Sequence, residues 1–231
     1  MNVLHLTLRE KDKAKPLDFS VKRMINAGYS GRDQKAVREH IEELKKEGIP
    51  VPEEIPTLYP VASYLITTRN VLEVVDESTS GEAEFVLLLQ GGKIYVAVGS
   101  DHTDRNLEAS SIIKAKQICP NVVSSVVWPY EELKGAWDDL DLRSWVEKDG
   151  QRISYQETKL SSIMSVEDIL SFVRSKVADG DLEGMVIYSG TVPSLSGEII
   201  YGEGFEVELH NPKTGDSLWC KYKVRLLDYL G

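Results

Sequence analysis

Three acidic residues in the first half of the sequence, Glu82, Glu84 and Asp101, have the spacing of a metal site. The two glutamates flank the start of an apolar run that ends at a Gly-Gly pair, and a second apolar run follows, which predicts a β-hairpin with a two-residue turn. Counting outward from the turn pairs Glu84 with Gly99 and Glu82 with Asp101. Because side chains two residues apart share one face of a strand, the three carboxylates are expected within roughly 5–8 Å of one another.

A cluster of three carboxylates requires a cation. Without one, mutual repulsion raises the pKa of at least one carboxyl group and opposes folding of the hairpin. Oxygen ligands from three side chains suit Mg²⁺ or Mn²⁺, with water or substrate oxygens completing an octahedron. The alternative is that the acids cover a solvent-exposed strand face, and a slip of one residue at the turn would remove the cluster.

The composition limits the possible partners. The chain has 231 residues and a formal net charge of −10, without the basic patch that nucleic acids and anionic membrane surfaces require. No segment is long and apolar enough to span a membrane, and the N-terminus lacks the apolar core of a signal peptide. Cys119 and Cys220 are too few for a disulfide framework, although one bridge remains open, so we expect a cytoplasmic protein with a small-molecule partner.

Hydrophobic periodicity predicts two helices in a chain that is otherwise rich in strands. Residues 34–47 follow the N-cap Asp33, and residues 161–177 contain a second apolar stripe with Ser165 as its cap. Most other apolar segments are short and alternate, above all in the C-terminal third. We therefore expect a β-rich α+β fold in which mixed sheets roll around a central pocket and a few helices pack outside.

Four short motifs follow one another in the order of a known enzyme family. They are Glu82-x-Glu84, Asp101-x-x-x-Arg105, a lysine-bearing segment and Gly190-Thr191-x-Pro193. In this order the chain resembles the fumarylacetoacetate hydrolase family over about residues 81–224. The resemblance implies a mixed β-sheet roll around a metal pocket, a homodimer, and Mg²⁺ (or Mn²⁺) held by Glu82, Glu84 and Asp101.

The resemblance also implies candidate catalytic residues. The family's lysine falls on Lys114 or Lys116, which share one face of the strand predicted over residues 111–125. An upstream His-x-x-Glu pair of the family matches His40 and Glu43, three apart on the first predicted helix, where the carboxylate can orient the imidazole as an acid or base. A solvated histidine on a charged helix is the alternative for His40.

Three further residues are candidates for substrate binding. Thr191 falls on the family threonine that contacts a substrate carboxylate. Arg32 can bind a carboxylate with two parallel hydrogen bonds, or pair with an acid on the surface. Arg105 is expected to hold the loop after Asp101 by hydrogen bonds, next to the site.

The chain is expected to fold as one domain over residues 1–231. Residues 1–60 form an N-terminal segment with a lid-like helix at 34–47, and residues 61–231 form the catalytic β-roll. A divalent ion with open positions can bind a 2-oxo acid or a β-dicarbonyl acid and stabilise its enolate. We expect an Mg²⁺-dependent hydrolase or lyase that performs C–C cleavage, decarboxylation, hydration or tautomerisation. The alternative is a non-catalytic, small-acid-binding or structural protein on the same fold.

Overall fold

Strands make up most of the regular structure of the chain. The structure, a computed structural model, describes residues 2–11, 13–46, 51–52 and 54–230, without the side chains of His40, Glu43 and Leu44. The first strands are β1 (Asn2–Glu10), β2 (Lys13–Val21), β3 (Arg23–Gly28), β4 (Thr57–Val61), β5 (Ile66–Thr67), β6 (Val71–Val74), β7 (Thr79–Ser80), β8 (Ala83–Gln90), β9 (Lys93–Ser100) and β10 (Thr103–Asp104). The later strands are β11 (Asn121–Val123), β12 (Val126–Pro129), β13 (Asp141–Lys148), β14 (Gln151–Lys159), β15 (Met185–Tyr188), β16 (Gly204–His210) and β17 (Ser217–Leu226).

The strands of the described residues form two main sheets. The larger, mixed sheet has the order β2-β1-β12-β9-β8-β15-β3-β4, and β11 joins it by pairing with β9 and β5. The smaller sheet has the order β14-β13-β16-β17-β6, and its pairs are antiparallel except that of β17 with β6. A short pair, β7 with β10, lies beside the end of the β8–β9 hairpin.

The central strand β8 is buried on both of its faces. Phe85 and Leu87 pack in the core between the two sheets, whereas Val86 and Leu88 pack inside the curled larger sheet. Glu84 has the same parity as Val86 and therefore points to the inside of the curl. A carboxylate at this position cannot be the solvent-facing decoration of an exposed strand, because Glu84 is only 1% exposed.

The helices pack outside the sheets. They are α1 (Gln34–Lys46), α2 (Arg105–Glu108), α3 (Ile112–Ile118), α4 (Tyr130–Leu133) and α5 (Val166–Lys176). The predicted caps are present: an Asp33 carboxylate oxygen accepts the first free N–H groups of α1, and the Ser165 hydroxyl accepts from the N–H of Asp168 in α5. No helix among the described residues is long and apolar enough to cross a membrane.

The predicted hairpin forms with the predicted register. β8 and β9 pair antiparallel with Gln90 opposite Lys93 and Glu84 opposite Gly99. The two turn glycines have φ values of +61° and +71°, the left-handed conformation that a two-residue hairpin turn requires. Beyond the last ladder pair, the N–H of Asp101 still donates to the carbonyl oxygen of Glu82 at 3.3 Å.

The strand predicted over residues 111–125 is wrong. Residues 112–118 form the helix α3, and only residues 121–123 form a strand. Ile112, Ala115 and Cys119 have the i, i+3, i+7 spacing of a helix face, which is the pattern that folds against the sheet. Side chains two apart on a helix point in nearly opposite directions, so Lys114 and Lys116 do not share a face.

Candidate metal centre

The carboxylates of Glu82, Glu84 and Asp101 meet at the open end of the β8–β9 hairpin. One oxygen from each of the three lies within 4.8 Å of the others. Glu84 and Asp101 are fully buried, and the side chain of Glu82 keeps 15% of its surface exposed. Oxygen ligands spread over about 4–5 Å around a divalent cation, so the geometry matches a single ion.

A glycine loop fixes the position of Glu84. The N–H of Gly190 donates to the Glu84 carboxylate at 2.7 Å. Gly190 has a φ of +82°, and a Cβ on it would lie 2.2 Å from the hydroxyl oxygen of Ser30. Only glycine fits this position, because both the backbone conformation and the available space exclude a side chain.

Lys116 is the lysine of the site and one of its two cationic groups. Its ammonium donates to the Asp101 carboxylate, lies 3.5 Å from Glu82 and is 5.8 Å from the centre of the Tyr59 ring. Burial alone would lower the pKa of Lys116, but the charges of Asp101 and Glu82 outweigh it and raise that pKa. Lys114 lies exposed on α3 and does not line the site, so of the two candidate lysines the helix brings only Lys116 to the carboxylates.

Arg105 bridges the site and its surroundings. Its guanidinium donates to Glu82 at 3.0 Å, to Glu108 at 2.7 Å and to the Ser80 hydroxyl at 2.7 Å. These bonds tie the segment after Asp101 to the strand that carries Glu82, which is the tethering role expected of Arg105. The same side chain lines the cavity in front of the carboxylates.

The charges of the site do not balance. Glu82, Glu84, Asp101 and Glu108 are four carboxylates, and among the residues that the structure describes only Lys116 and Arg105 oppose them directly. Two negative charges are left uncompensated if every acid is ionised, which is the charge that one divalent cation neutralises. The oxygen-only donor set suits a hard ion such as Mg²⁺, Mn²⁺ or Ca²⁺.

The pKa values of the three carboxyl groups show the same imbalance. Burial, with Asp101 and Glu82 nearby, raises the pKa of Glu84 well above its usual range. Burial also raises the pKa of Asp101 despite the opposing charge of Lys116. Burial acts on Glu82 in the same direction, but Arg105 and Lys116 more than offset it and lower that pKa.

These shifts predict how pH changes the effect of Mg²⁺ on stability. The folded, metal-free protein holds the Glu84 proton more tightly than the unfolded chain does, so its stability falls as pH rises above the ordinary glutamate pKa of 4.5. Mg²⁺ binds the deprotonated acids, so the gain in melting temperature on adding Mg²⁺ should increase between about pH 5 and about pH 8. Thermal unfolding with and without Mg²⁺ measures this gain, and a gain that shrinks with rising pH would contradict the assignment.

A cavity of about 430 Å³ opens in front of Glu82. Its wall carries the two cationic groups of the site, aromatic rings, and the loop after β15. The lining includes Tyr29, Tyr59, Glu82, Arg105, Glu108, Ile112, Lys116, Tyr155, Gln156, Thr191, Pro193, Glu198 and Ile199. The volume is within the usual range for small-molecule sites.

Thr191 lines this cavity, but its hydroxyl proton is already used. Its hydroxyl group donates to the carbonyl oxygen of Ala83 at 3.0 Å and accepts from the side-chain amide of Gln156 at 2.8 Å. In this arrangement Thr191 fixes the loop against the strand between Glu82 and Glu84, and it has no proton left to donate to a substrate carboxylate.

Gln156, which the sequence did not single out, connects three elements of the site. Its amide oxygen accepts from the N–H of Ala83 and from the hydroxyl of Ser144, both at 3.0 Å. Its amide nitrogen donates to Thr191 and to the carbonyl of Val192. Gln156 thus joins β14 of the smaller sheet to the start of β8 and to the 190–193 loop.

A buried hydrogen-bond chain lies behind the carboxylates. The Tyr222 hydroxyl lies 2.9 Å from both the Ser100 hydroxyl and His102 Nδ1, and the Ser100 hydroxyl accepts from the N–H of Glu82. Burial lowers the pKa of His102 to about 3, so this imidazole is neutral. The chain holds the backbone of Glu82 in place relative to β9.

Tyr222→Phe should therefore weaken both the fold and the proposed metal site. It leaves Ser100 and His102 without their shared partner, which costs about 1–3 kcal/mol of unfolding free energy. Because Glu82 loses its support, Mg²⁺ affinity should fall by about tenfold or more. Urea unfolding and titration calorimetry measure the two effects, with Tyr229→Phe, at a 76% exposed tyrosine, as the control. An Mg²⁺ affinity equal to that of the parent protein would show that the chain supports the fold only.

The remaining candidates lie away from the carboxylates or outside the described side chains. Arg32 donates to the carbonyl of Ile163 at 2.6 Å and to Asp138 at 2.7 Å, so its guanidinium holds neighbouring loops and does not line the cavity at Glu82. The contact with Asp138 is the pairing with an acid that was the alternative for Arg32, and substrate binding by Arg32 stays a prediction. His40 and Glu43 belong to α1, but their side chains lie outside the described part of the chain.

Comparison with solved structures gives the fold. The structure of Cg1458 has a TM-score of 0.61 at 15% identity and covers 93% of this chain and 84% of that chain. The structure of 2-keto-3-deoxy-D-arabinonate dehydratase complexed with magnesium and 2,5-dioxopentanoate has a TM-score of 0.60 at 17% identity. It covers 92% of this chain and 75% of that chain. The structure of 4-oxalocrotonate decarboxylase from Pseudomonas putida G7, complexed with calcium and acetate, has a TM-score of 0.56 at 14% identity. It covers 89% of this chain and 79% of that chain. The β-rich α+β fold of the fumarylacetoacetate hydrolase type is thereby confirmed.

Comparison at the level of sequence gives the family. A search of curated proteins found no match. The model of one family, described as protein of unknown function (DUF2848), matches residues 27–222. These residues include every carboxylate and both cationic groups of the candidate metal centre. Since the match spans well over half of the chain, the protein belongs to the DUF2848 family.

Proposed function

We propose that this protein is a divalent-metal-dependent enzyme, most simply a lyase, that acts on a 2-oxo acid or a β-dicarbonyl acid. The observation that carries the proposal is the buried cluster of Glu82, Glu84 and Asp101, whose charge is not balanced among the described residues and whose Glu82 lines a cavity of about 430 Å³. Two proteins of the same fold, a dehydratase with magnesium and a decarboxylase with calcium, act on acids of this kind by name.

The residues of the chain divide the expected work between them. A bound Mg²⁺ or Mn²⁺ would supply a Lewis acid that polarises a substrate carbonyl group. Lys116 holds a permanent positive charge beside Asp101 and Glu82, where it stabilises negative charge that develops on a substrate oxygen. Arg105 orients Glu82, and we propose His40 and Glu43 of α1 as the pair that moves the proton.

Lyase chemistry is favoured over hydrolysis by the names of the neighbours rather than by a feature of the site. C–C cleavage, decarboxylation, hydration and tautomerisation of such acids share an enolate of the carbonyl group, formed by loss of a proton or of a carbon substituent from the neighbouring carbon, and exchange of C3 protons reports an enolate. A readout common to these reactions therefore tests the proposal without knowledge of the substrate.

The test is exchange of the C3 protons of 2-oxo acids for deuterium, followed by NMR in D₂O with and without Mg²⁺. We expect exchange that depends on Mg²⁺ and is lost when the metal is removed with a chelator. Turnover of acylpyruvates and oxaloacetate under the same two conditions then identifies the bond that breaks. Binding of a 2-oxo acid with neither exchange nor turnover would contradict catalysis and support the alternative of a non-catalytic small-acid-binding protein. Exchange that persists without metal would contradict the proposed dependence of the reaction on a divalent metal.

A further inference from the structure

The cavity at the metal centre continues into a second, larger one. The outer cavity has a volume of about 810 Å³ and shares six lining residues with the inner one. The shared residues, which form the junction, are Tyr29, Tyr59, Arg105, Glu108, Ile112 and Ile199. The two cavities are therefore parts of one groove, with Glu82 and Lys116 at its deep end.

The outer cavity has no charged lining residue of its own among those the structure describes. Its further lining consists of Val51, Pro52, Thr57, Ala109, Ser110, Ser111 and Ile113. The described charges that border it are those of Arg105 and Glu108 at the junction, which pair with each other at 2.7 Å. A charged group of a ligand would find no unpaired partner among these described lining residues, whereas an apolar chain would be buried against isoleucines and tyrosines.

The isoleucines of the outer cavity are unusually exposed. Ile113 is 44% exposed and Ile199 is 47% exposed. Ile112 and Ile199 line both cavities and Ile113 lines the outer one, so apolar side chains are present in both parts of the groove. An apolar ligand that covered these side chains would gain the free energy of removing them from water.

Tyr29 adds an independent observation at the junction. Its φ is +56°, in the left-handed region that side chains other than glycine, asparagine and aspartate rarely adopt. The ring borders both cavities. Such a backbone costs of order 1–3 kcal/mol and concentrates at ligand sites, so the strain indicates that the position of the Tyr29 ring matters for binding.

The inner cavity alone is larger than a three-carbon acid. Its volume of about 430 Å³ is many times the roughly 30 Å³ that one water molecule takes up in the liquid. Pyruvate has six non-hydrogen atoms, so it would leave most of the groove filled with water. The inner cavity therefore has room for a ligand larger than pyruvate that extends from the metal centre to the junction.

We propose that the substrate carries an apolar chain, alkyl or aromatic, of about four or more carbons beyond its 2-oxo or β-dicarbonyl acid group, and that this chain occupies the outer cavity. This inference rests on the function proposed above. The acid group lies at the carboxylates and Lys116, and the chain passes between Tyr29 and Tyr59 towards Ile113.

Titration calorimetry with Mg²⁺ present tests the inference on a chain-length series of pyruvate, 2-oxobutanoate, 2-oxohexanoate and 2-oxooctanoate. We expect the Kd to improve by about two- to fourfold for each methylene group that enters the outer cavity. 2-Oxoadipate is the matched control for 2-oxohexanoate, because it has the same length and a charged end. It should bind more weakly, and tighter binding of 2-oxoadipate would overturn the inference.

Two variants of α3 locate the effect. Ile113→Asp should remove the gain with chain length, because it places a charge in the outer cavity. Ile118→Asp is the control, since Ile118 is 49% exposed on the same helix and lines neither cavity; it should keep the gain. A gain that survives in Ile113→Asp would overturn the inference.

The series also separates this inference from the proposed function. If pyruvate binds and the Kd does not change with chain length, the proposal that the substrate carries an apolar chain is wrong and the proposed function stands. If none of the acids binds in the presence of Mg²⁺, the proposed function fails together with the inference.

Discussion

Glu84→Gln should abolish tight Mg²⁺ binding and leave the fold intact. The glutamine keeps an oxygen that accepts from the N–H of Gly190, so the loop contact at 2.7 Å survives. It removes one of three charged ligands, and a loss of at least about 100-fold in Mg²⁺ affinity is expected, because changes to supporting residues alone cost 10–100-fold. Titration calorimetry measures the affinity directly.

The stability of the metal-free Glu84→Gln variant provides a second readout, and we expect it not to fall although the Mg²⁺ affinity falls. Burial and the neighbouring acids raise the pKa of Glu84, so its charged form destabilises the metal-free protein. The metal-free variant should be as stable as the parent or more stable, while the stabilisation by Mg²⁺ disappears. Glu131→Gln, at an exposed position on α4, is the matched control. An unchanged Mg²⁺ affinity in Glu84→Gln would remove the proposed site.

Lys116→Met should separate metal binding from catalysis. The methionine keeps most of the apolar stem and removes the charge that contacts Asp101 and Glu82. Loss of one partner from a buried ion pair costs about 3–5 kcal/mol, so the metal-free variant should be strongly destabilised. Mg²⁺ affinity should rise, because the ammonium no longer competes for the carboxylates, and Mg²⁺ should restore much of the stability.

Catalysis by Lys116→Met should fall even when the metal is bound. Removing a group that stabilises developing negative charge typically costs about 10²–10³ in kcat. The Mg²⁺-dependent proton exchange described above measures this loss, and Lys114→Met, on the exposed side of α3, is the control. Metal-free stability equal to that of the parent would show that Lys116 does not balance the charge of the acids.

The hairpin and its carboxylates could be predicted because their geometry is local. A Gly-Gly pair between two apolar runs specifies the turn, and the turn fixes the register of β8 and β9. The register then places Asp101 beside Glu82 without reference to the rest of the fold. Alternation of side chains along β8 adds Glu84 to the same face.

The prediction of a strand over residues 111–125 left the choice between Lys114 and Lys116 open, because both lysines lie on one face of a strand. The segment 112–118 is short and apolar, so its sequence fits both the strand period and the helix period. Tertiary packing selects the helix. Ala115 and Lys116 are the buried residues of α3. Adjacent residues can both be buried on one side of a helix, whereas they point to opposite faces of a strand. Reading the segment as a helix would have singled out Lys116, since Lys114 lies on the far side.

Gln156 and Tyr222 could not be found from the sequence, because their partners are distant in it. Gln156 accepts from Ala83, 73 residues away, and Tyr222 lies next to Ser100, 122 residues away. Both residues come from the smaller sheet, whose packing against the β8–β9 hairpin is a property of the complete fold. Neither has a motif that marks it in advance, and both support the backbone that carries the carboxylates.

A crystal structure of the protein with Mn²⁺, solved with anomalous data, tests the central claim most directly. We predict one anomalous peak at about 2.0–2.2 Å from an oxygen of each of Glu82, Glu84 and Asp101, with Lys116 displaced from Asp101 or sharing its second oxygen. A peak elsewhere, or no peak at saturating Mn²⁺ with the Lys116–Asp101 contact still in place, would contradict the assignment of this cluster as a metal centre.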